Sequence, residues 1–247
     1  MELKLKKYLL EKGCNRFDLK AVIFDMDGVL YDSMPAHAKS WQQTFEEFNY
    51  KTTTPAEFFM HEGRLGTTTI QLVTEREFNR EATRQEVDNI YNRKSELFNI
   101  YNNNKTLPGA KETLNYVRDE GLTPILVTGS GQHSLLDKLE VHFPGIFSKE
   151  TMVTAYDVVN GKPNPEPFVK GLERGGRLKP NQAIVIENAP LGIKSSVGAG
   201  IFTIAVNTGP LNDNILLDAG ASVVFHSMTS VLKIIPEIIE LTKSLRL

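Results

Sequence analysis

The sequence predicts an open α/β sheet carrying a large helical insertion after its first strand. Three observations lead there. Short apolar runs alternate with longer amphipathic stretches, one interval of about 70 residues contains only helical pattern, and polar residues suited to one chemistry fall just after successive apolar runs. The 247-residue length allows one large domain or a large and a small one. It is ample for a packed core without disulfides.

Ala21-Val22-Ile23-Phe24 is the first strand. Residues 124–127, 152–155, 183–186, 202–206 and 222–225 are the others. They are short, rich in β-branched residues and bounded by Gly or Pro. Their nearly continuous apolarity suits parallel strands covered on both faces. Residues 110–120, 134–141, 165–174 and 191–199 have helical pattern between them, which makes strand–helix–strand units with right-handed crossovers.

The exception is the stretch from Ser33 to about Lys105. Trp41, Thr44, Phe45 and Phe48 fall at helical spacing, as do Val87, Ile90, Tyr91, Lys94, Leu97, Phe98 and Tyr101. Pro35 and Pro108 bracket the block, and Asn102-Asn103-Asn104 precedes its exit. The expected division is a core of residues 1–32 and 106–247, with a helical cap over 33–105. Residues 1–20 are expected to be a helical extension packed on the core. Charges interrupt them, so no secretory signal is expected, and the packed helix is preferred to an amphipathic membrane anchor.

Composition narrows the function classes. Lys plus Arg (28) and Asp plus Glu (30) balance to a net charge of −2, without the basic excess of a nucleic-acid binder. No run approaches the ~20 apolar residues of a membrane span. The single cysteine, Cys14, excludes an intrachain disulfide and a cysteine-built zinc site. The expectation is a cytoplasmic protein, monomeric, with no nucleic-acid or membrane partner.

Ligands of open parallel sheets bind beyond the carboxyl ends of the strands. There the chain places Asp25-Met26-Asp27-Gly28, Thr128-Gly129-Ser130-Gly131 and Glu187-Asn188-Ala189-Pro190, with Gly161-Lys162-Pro163 after the third strand. Each alone reads as a turn or cap. Together they bring acidic groups, a hydroxyl and a lysine to one rim. Carboxylates and an amide oxygen suit octahedral Mg²⁺. Lysine and hydroxyl donors suit phosphoryl oxygens. One carboxylate can attack phosphorus and the other, two residues on, can give and take protons.

These residues resemble the four motifs of the haloacid dehalogenase superfamily: Asp25-Met26-Asp27-Gly28-Val29-Leu30, Thr128, Lys162-Pro163, and Glu187 through Ile193. The helical insertion resembles its cap, which implies a Rossmann-like core with an all-helical cap. His37 and Trp41 resemble the β-phosphoglucomutase-like branch, with its phosphatases, mutases and inorganic pyrophosphatases. The resemblance implies Asp25 as nucleophile forming an aspartyl-phosphate, and Asp27 as acid/base with its backbone carbonyl on Mg²⁺. Thr128, the Gly129 amide and Ser130 would hold phosphoryl oxygens. Lys162 would neutralise charge, and Glu187 and Asn188 would complete the metal site. Retention of Asp27 points to phosphate rather than haloalkanoate chemistry.

Two departures stand out. Asn188 replaces the usual Asp of the last motif, so weaker Mg²⁺ binding or a more direct role for Glu187 is expected. In the cap, Glu62 stands where the resembled mutases place a lysine, and Arg64 is displaced from their arginine. A carboxylate facing an anionic leaving group needs a cation between them. Glu62 is therefore expected at Mg²⁺, over a small leaving group such as phosphate. This favours a Mg²⁺-dependent phosphohydrolase of a small phosphorylated substrate, pyrophosphate or a small ester, over a sugar-phosphate mutase. A weakly active phospho-ligand-binding regulator is the alternative from another class. His37, Gln132 and, more weakly, His61 complete the candidate set.

Overall fold

The computed structural model describes residues 1–131 and 137–247. Its elements run α1 (Glu2–Glu11), β1 (Ala21–Phe24), α2 (Met34–Glu47), α3 (Glu57–Met60), α4 (Gly66–Phe78), α5 (Arg84–Tyr101), α6 (Ala110–Asp119) and β2 (Thr123–Val127). Then follow α7 (Leu139–His142), β3 (Met152–Val153), α8 (Glu166–Arg174), β4 (Ala183–Glu187), α9 (Pro190–Gly198), β5 (Phe202–Val206), α10 (Asp213–Asp218), β6 (Val223–Phe225) and α11 (Met228–Ser244).

The strands form one parallel sheet in the order β3-β2-β1-β4-β5-β6. β1 lies between β2 and β4, with Phe24 in register with Leu126 and Ile186. The order reverses beside β1, so the chain leaving β1 and the chain leaving β4 flank the crevice where such sheets bind ligands. Side chains alternate between two buried faces. Ala21, Ile23, Ile125 and Val185 pack with Phe168 and Leu172 of α8. Val22, Phe24, Ile184 and Ile204 pack with Leu114 of α6 and Val231, Ile235 and Ile238 of α11.

The expected N-terminal extension is α1. Leu5 and Leu9 are fully buried in the sheet's larger core, and Tyr8 donates to the Gly200 carbonyl at 2.9 Å. Each buried leucine contributes about 2 kcal/mol, enough to dock a short helix. Leu3 and Leu10 remain exposed.

Residues 33–105 contain no named strand, only α2 to α5. These helices have their own core of Trp41, Phe45, Phe58, Ile70, Val73 and Ile90. Pro35 opens α2, and a Thr83–Glu86 capping box opens α5. The two linkers run side by side. Asp32 N–H donates to the Lys105 carbonyl and Leu107 N–H to the Leu30 carbonyl, both at 2.9 Å. The asparagine run has a local purpose. The Asn102 side chain accepts from Asn104 N–H (3.1 Å) and that of Asn103 from Lys105 N–H (2.9 Å), so each mimics a backbone turn.

Some boundaries differ from expectation. β3 stops at Val153, because Thr154 N–H and hydroxyl turn onto the Asp157 carboxylate (2.8 and 2.9 Å). The helix expected over 134–141 begins outside the described residues, whose helical part is α7. Among the described residues no helix is long and apolar enough to cross a membrane.

Candidate active site

Asp25 follows β1 directly and is tied to β4 through its N–H, which donates to the Ile186 carbonyl at 3.0 Å. The side chain is buried. Lys162 Nζ donates to Asp25 Oδ1 at 2.6 Å and to Glu187 Oε1 at 2.7 Å. Burial raises the Asp25 carboxyl. Lys162 pulls it back, Glu187 and Asp27 push it up again, and it settles at about 7. Burial likewise disfavours the Lys162 ammonium, but the two carboxylates outweigh it and hold the lysine above its ordinary value.

Glu187 is shaped by the start of α9. Its Oε2 accepts Ala189 N–H at 2.6 Å, at the positive end of the helix. A Cβ at Gly192 would lie 1.7 Å from Oε1, so the glycine makes room for the carboxylate. Both Glu187 oxygens therefore have donors, and its visible work is to hold Lys162.

Asp27 is held differently. Ser33 Oγ donates to its Oδ1 at 2.5 Å, and His37 Nε2 lies 3.1 Å from the same oxygen. His37 Nδ1 lies 2.9 Å from Lys94 Nζ. An ammonium only donates, so Nδ1 accepts and Nε2 carries the proton toward Asp27. Burial, then Lys94, lowers the His37 pKa against the pull of Asp27, which fits that neutral ring. Burial alone would raise the Asp27 carboxyl. His37, Ser33 and Lys94 together hold it below its usual range. Lys94 is itself buried, and its pKa is lowered to about 8 by burial against the attraction of Asp27 and Glu62.

Buried oxygens without any donor are costly. Asp25 Oδ2, Asp27 Oδ2 and Asn188 Oδ1 are all of this kind. Asp25 Oδ2 and Asn188 Oδ1 at one sheet end are oxygen donors that fit Mg²⁺, and Asp27 Oδ2 is free to carry a proton. Among the described residues no group of three His, Cys, Asp or Glu side chains forms a metal centre.

The opposite wall comes from the turn after α3. Glu62, Gly63 and Arg64 line a cavity with Asp27, His37, Trp41, Tyr91, Lys94 and Gly129 through Gly131. Its space is ≈ 40 Å³, room for a few water-sized groups. Burial, then the charges of Asp27 and Asp25, raises the Glu62 carboxyl well above its ordinary value, opposed by Lys162. Arg64 Nε is buried without a partner, and burial lowers the guanidinium pKa. Glycines let cap and core touch. A Cβ at Gly129 would lie 2.3 Å from the Gly63 carbonyl oxygen, and one at Gly63 would lie 2.6 Å from Lys162 Cδ.

Thr128 Oγ1 accepts Ser130 N–H at 2.9 Å, which leaves the hydroxyl proton for another acceptor. His61 also lines the cavity. Gln132 lies outside the described residues. Sequence reasoning missed Ser33 and the role of Lys94. The lysine was visible as a charge in the apolar stripe of a helix. Ser33 left no signal beyond standing before a helix start.

A family model described as haloacid dehalogenase-like hydrolase matches residues 22–206. A phosphorylated carbohydrates phosphatase of Thermotoga maritima is 28% identical over 212 residues, 82% of this chain and 92% of that protein. Hexitol phosphatase A of Escherichia coli is 30% identical over 194 residues, 76% and 83% of the two chains. A solved structure from Bacteroides vulgatus, provisionally named a β-phosphoglucomutase, is 51% identical, covers 98% of each chain and superposes with a TM-score of 0.94.

Proposed function

From the premise that this chain belongs to the haloacid dehalogenase-like hydrolase family, we propose that it is a Mg²⁺-dependent phosphohydrolase working through an aspartyl-phosphate on Asp25. In this reading, residues 1–32 and 106–247 form the catalytic core and 33–105 the cap. The enzyme acts in the cytoplasm as a monomer. The preferred substrate is a compact phosphorylated compound, inorganic pyrophosphate foremost. The observation that carries this choice is Glu62, a cap carboxylate that lines a cavity of ≈ 40 Å³ together with Asp27. A compact leaving group suits it, and the acidic cluster calls for a cation. A small phosphate ester of a polyol or sugar is the second reading, favoured by the names of the carbohydrate and hexitol phosphatases. The Bacteroides vulgatus neighbour keeps a mutase as a third.

The side-chain oxygens of Asp25 and Asn188 and, as the family resemblance implies, the Asp27 backbone carbonyl would hold Mg²⁺, with Glu187 behind them and Glu62 approaching from the cap. Bound Mg²⁺ would supply positive charge between substrate anion and carboxylates. Lys162 holds Asp25 through Oδ1 and offsets its charge as it attacks phosphorus. The Thr128 hydroxyl and the Gly129 amide receive phosphoryl oxygens, with Ser130 beside them. Asp27, in its protonated form, passes its proton to the leaving oxygen and then takes one from the water that cleaves the aspartyl-phosphate, so the proton it gives is returned in each cycle. Ser33 and His37 both engage Oδ1 of Asp27, which leaves Oδ2 for the travelling proton.

The test is Mg²⁺-dependent phosphate release from pyrophosphate, hexose phosphates, small phosphate esters and nucleotides, with Asp25→Asn as control. A dominant pyrophosphate activity is expected. Preference for sugar or polyol phosphates would keep the phosphohydrolase and discard the role given to Glu62. No release from any compound would remove the hydrolase reading, and an assay of β-glucose 1-phosphate isomerisation would then test the mutase.

A further inference from the structure

We propose that the loop after β5, residues 207–211, is a strut that couples seating of the cap to the geometry of the Asp27–Gly28 peptide, with Thr208 as a positioning residue. The inference deepens the reading of the site given above and rests on it.

β5 lies against β4 with Ala205 in register with Glu187, so the loop emerges at the rim beside Asn188. It is built stiff. Asn207 N–H donates to the Phe225 carbonyl at 2.6 Å, and Asn207 Nδ2 donates to the Leu211 carbonyl and to Asp213 Oδ1, both at 2.7 Å. From this frame Thr208 Oγ1 reaches the Gly28 carbonyl at 2.7 Å.

Gly28 leaves its neighbours little freedom. Its φ of 77° is one that side-chain-bearing residues avoid. Its N–H donates to the Tyr31 carbonyl at 2.8 Å, at the foot of the linker into the cap. A Cβ there would lie 2.0 Å from Asn188 Nδ2. One peptide plane is thus pinned by Tyr31, the next by Thr208, and the α-carbon between them lies against Asn188. The Asp27 carbonyl belongs to the first of these planes. Releasing Thr208 frees the Gly28 ψ angle and, with it, the orientation of Asp27 and the seat of Asn188.

The other end of the strut touches the cap. A Cβ at Gly209 would lie 3.1 Å from Phe59 Cδ1, so the Phe59 ring rests on a bare α-carbon. Phe59 belongs to α3, three residues before Glu62. The helix that delivers Glu62 to the cavity therefore also leans on the loop that holds Gly28. Cap seating and the Asp27–Gly28 geometry are linked through Phe59, Gly209 and Thr208, by a route that avoids the cavity.

Thr208→Val keeps the shape and removes the donor, whereas Thr208→Ser keeps the donor. In Thr208→Val, kcat is expected to fall about tenfold with KM changed less than about twofold, the size of one lost hydrogen bond. Mg²⁺ affinity, read by calorimetry without substrate, falls several-fold, and amide exchange across residues 26–31 accelerates. Thr208→Ser restores all three. Gly209→Leu raises KM about tenfold, and adding Phe59→Ala recovers most of it. Wild-type Mg²⁺ affinity and exchange in Thr208→Val would overturn the proposal, as would Thr208→Ser matching Thr208→Val, or no recovery by Phe59→Ala. Calorimetry and exchange need no turnover. Absence of phosphate release from the wild type would therefore sink the hydrolase reading while these readouts still judged the strut.

Discussion

Lys94→Met should stabilise this protein and impair it. The ammonium is buried on α5, 2.9 Å from His37 Nδ1 and beside the Trp41 and Phe98 rings (5.3 and 4.8 Å to their centroids). Burial lowers its pKa from 10.5 to about 8. That difference corresponds to about 3 kcal/mol, at 1.36 kcal/mol per pH unit. The sign follows from linkage. A lysine with a lower pKa in the folded state binds its proton less readily there than in the unfolded chain. The native state therefore bears the full cost below about pH 8, and the cost fades as pH rises toward 10.5. Methionine removes the charge and keeps the stem. It forfeits the hydrogen bond to His37, worth about 1 kcal/mol. The expected gain at pH 7 is about 2 kcal/mol, or roughly 4–8 °C in Tm for a chain of this size. Without the lysine, His37 Nδ1 has no imposed acceptor role, so the proton aimed at Asp27 is no longer fixed. Turnover should fall about 10- to 100-fold. The assay pairs thermal unfolding at pH 7 and pH 9.5 with phosphate release. A variant less stable than wild type at pH 7, or a Tm gain that does not shrink with rising pH, would refute the reasoning.

Asp25→Asn should retain its circular dichroism spectrum and lose phosphate release by at least about 10³-fold, because the proposed nucleophile is gone. The Asp25 carboxyl sits at about 7, and a bound cation favours its ionised form. The acid limb of the pH–rate profile should therefore move to lower pH as Mg²⁺ is raised, and a limb that does not move would separate Asp25 from the cation. Glu62→Ala should cut kcat/KM for pyrophosphate at least about 100-fold, and small esters far less, because in the proposed reading the carboxylate acts only over a charged leaving group. Its Tm should rise, since Glu62 no longer opposes Asp25 and Asp27. Gly129→Ala places a methyl 2.3 Å from the Gly63 carbonyl, so KM should rise about tenfold while the fold survives. An unchanged KM would show that the cap does not need that contact.

Much of the fold was legible because parallel strands buried on both faces must be short and apolar. The runs at 21–24, 124–127, 183–186 and 202–206 meet that condition and lie within strands of the sheet. The helical interval was equally plain, since Trp41, Phe45 and Ile90 repeat with helical period and share one core. The run at 152–155 was half wrong, because Asp157 turns Thr154 out of the ladder from outside the apolar window. Asp25, Asp27, Lys162 and Glu187 could be singled out because their side-chain types are costly at a sheet end unless used. Lys94 was read as part of a helix stripe, because nothing local says that His37 lies 57 residues back and within hydrogen-bonding distance.

The order of residues by itself determined which groups reach the rim, since each follows a run whose apolarity dictates a buried strand. It also determined that a helical block enters after the first strand. The tertiary structure alone decided which group faces which. It paired Lys162 with Asp25 and Glu187, gave Asp27 to Ser33 and His37, and left one oxygen each on Asp25, Asp27 and Asn188 without a donor. It also brought Glu62 and Asp27 to one cavity and set Phe59 on Gly209. The division has a physical cause. Periodicity and burial are local properties of a chain segment, whereas a pKa, a hydrogen-bond partner or an orphaned oxygen belongs to atoms gathered from distant segments.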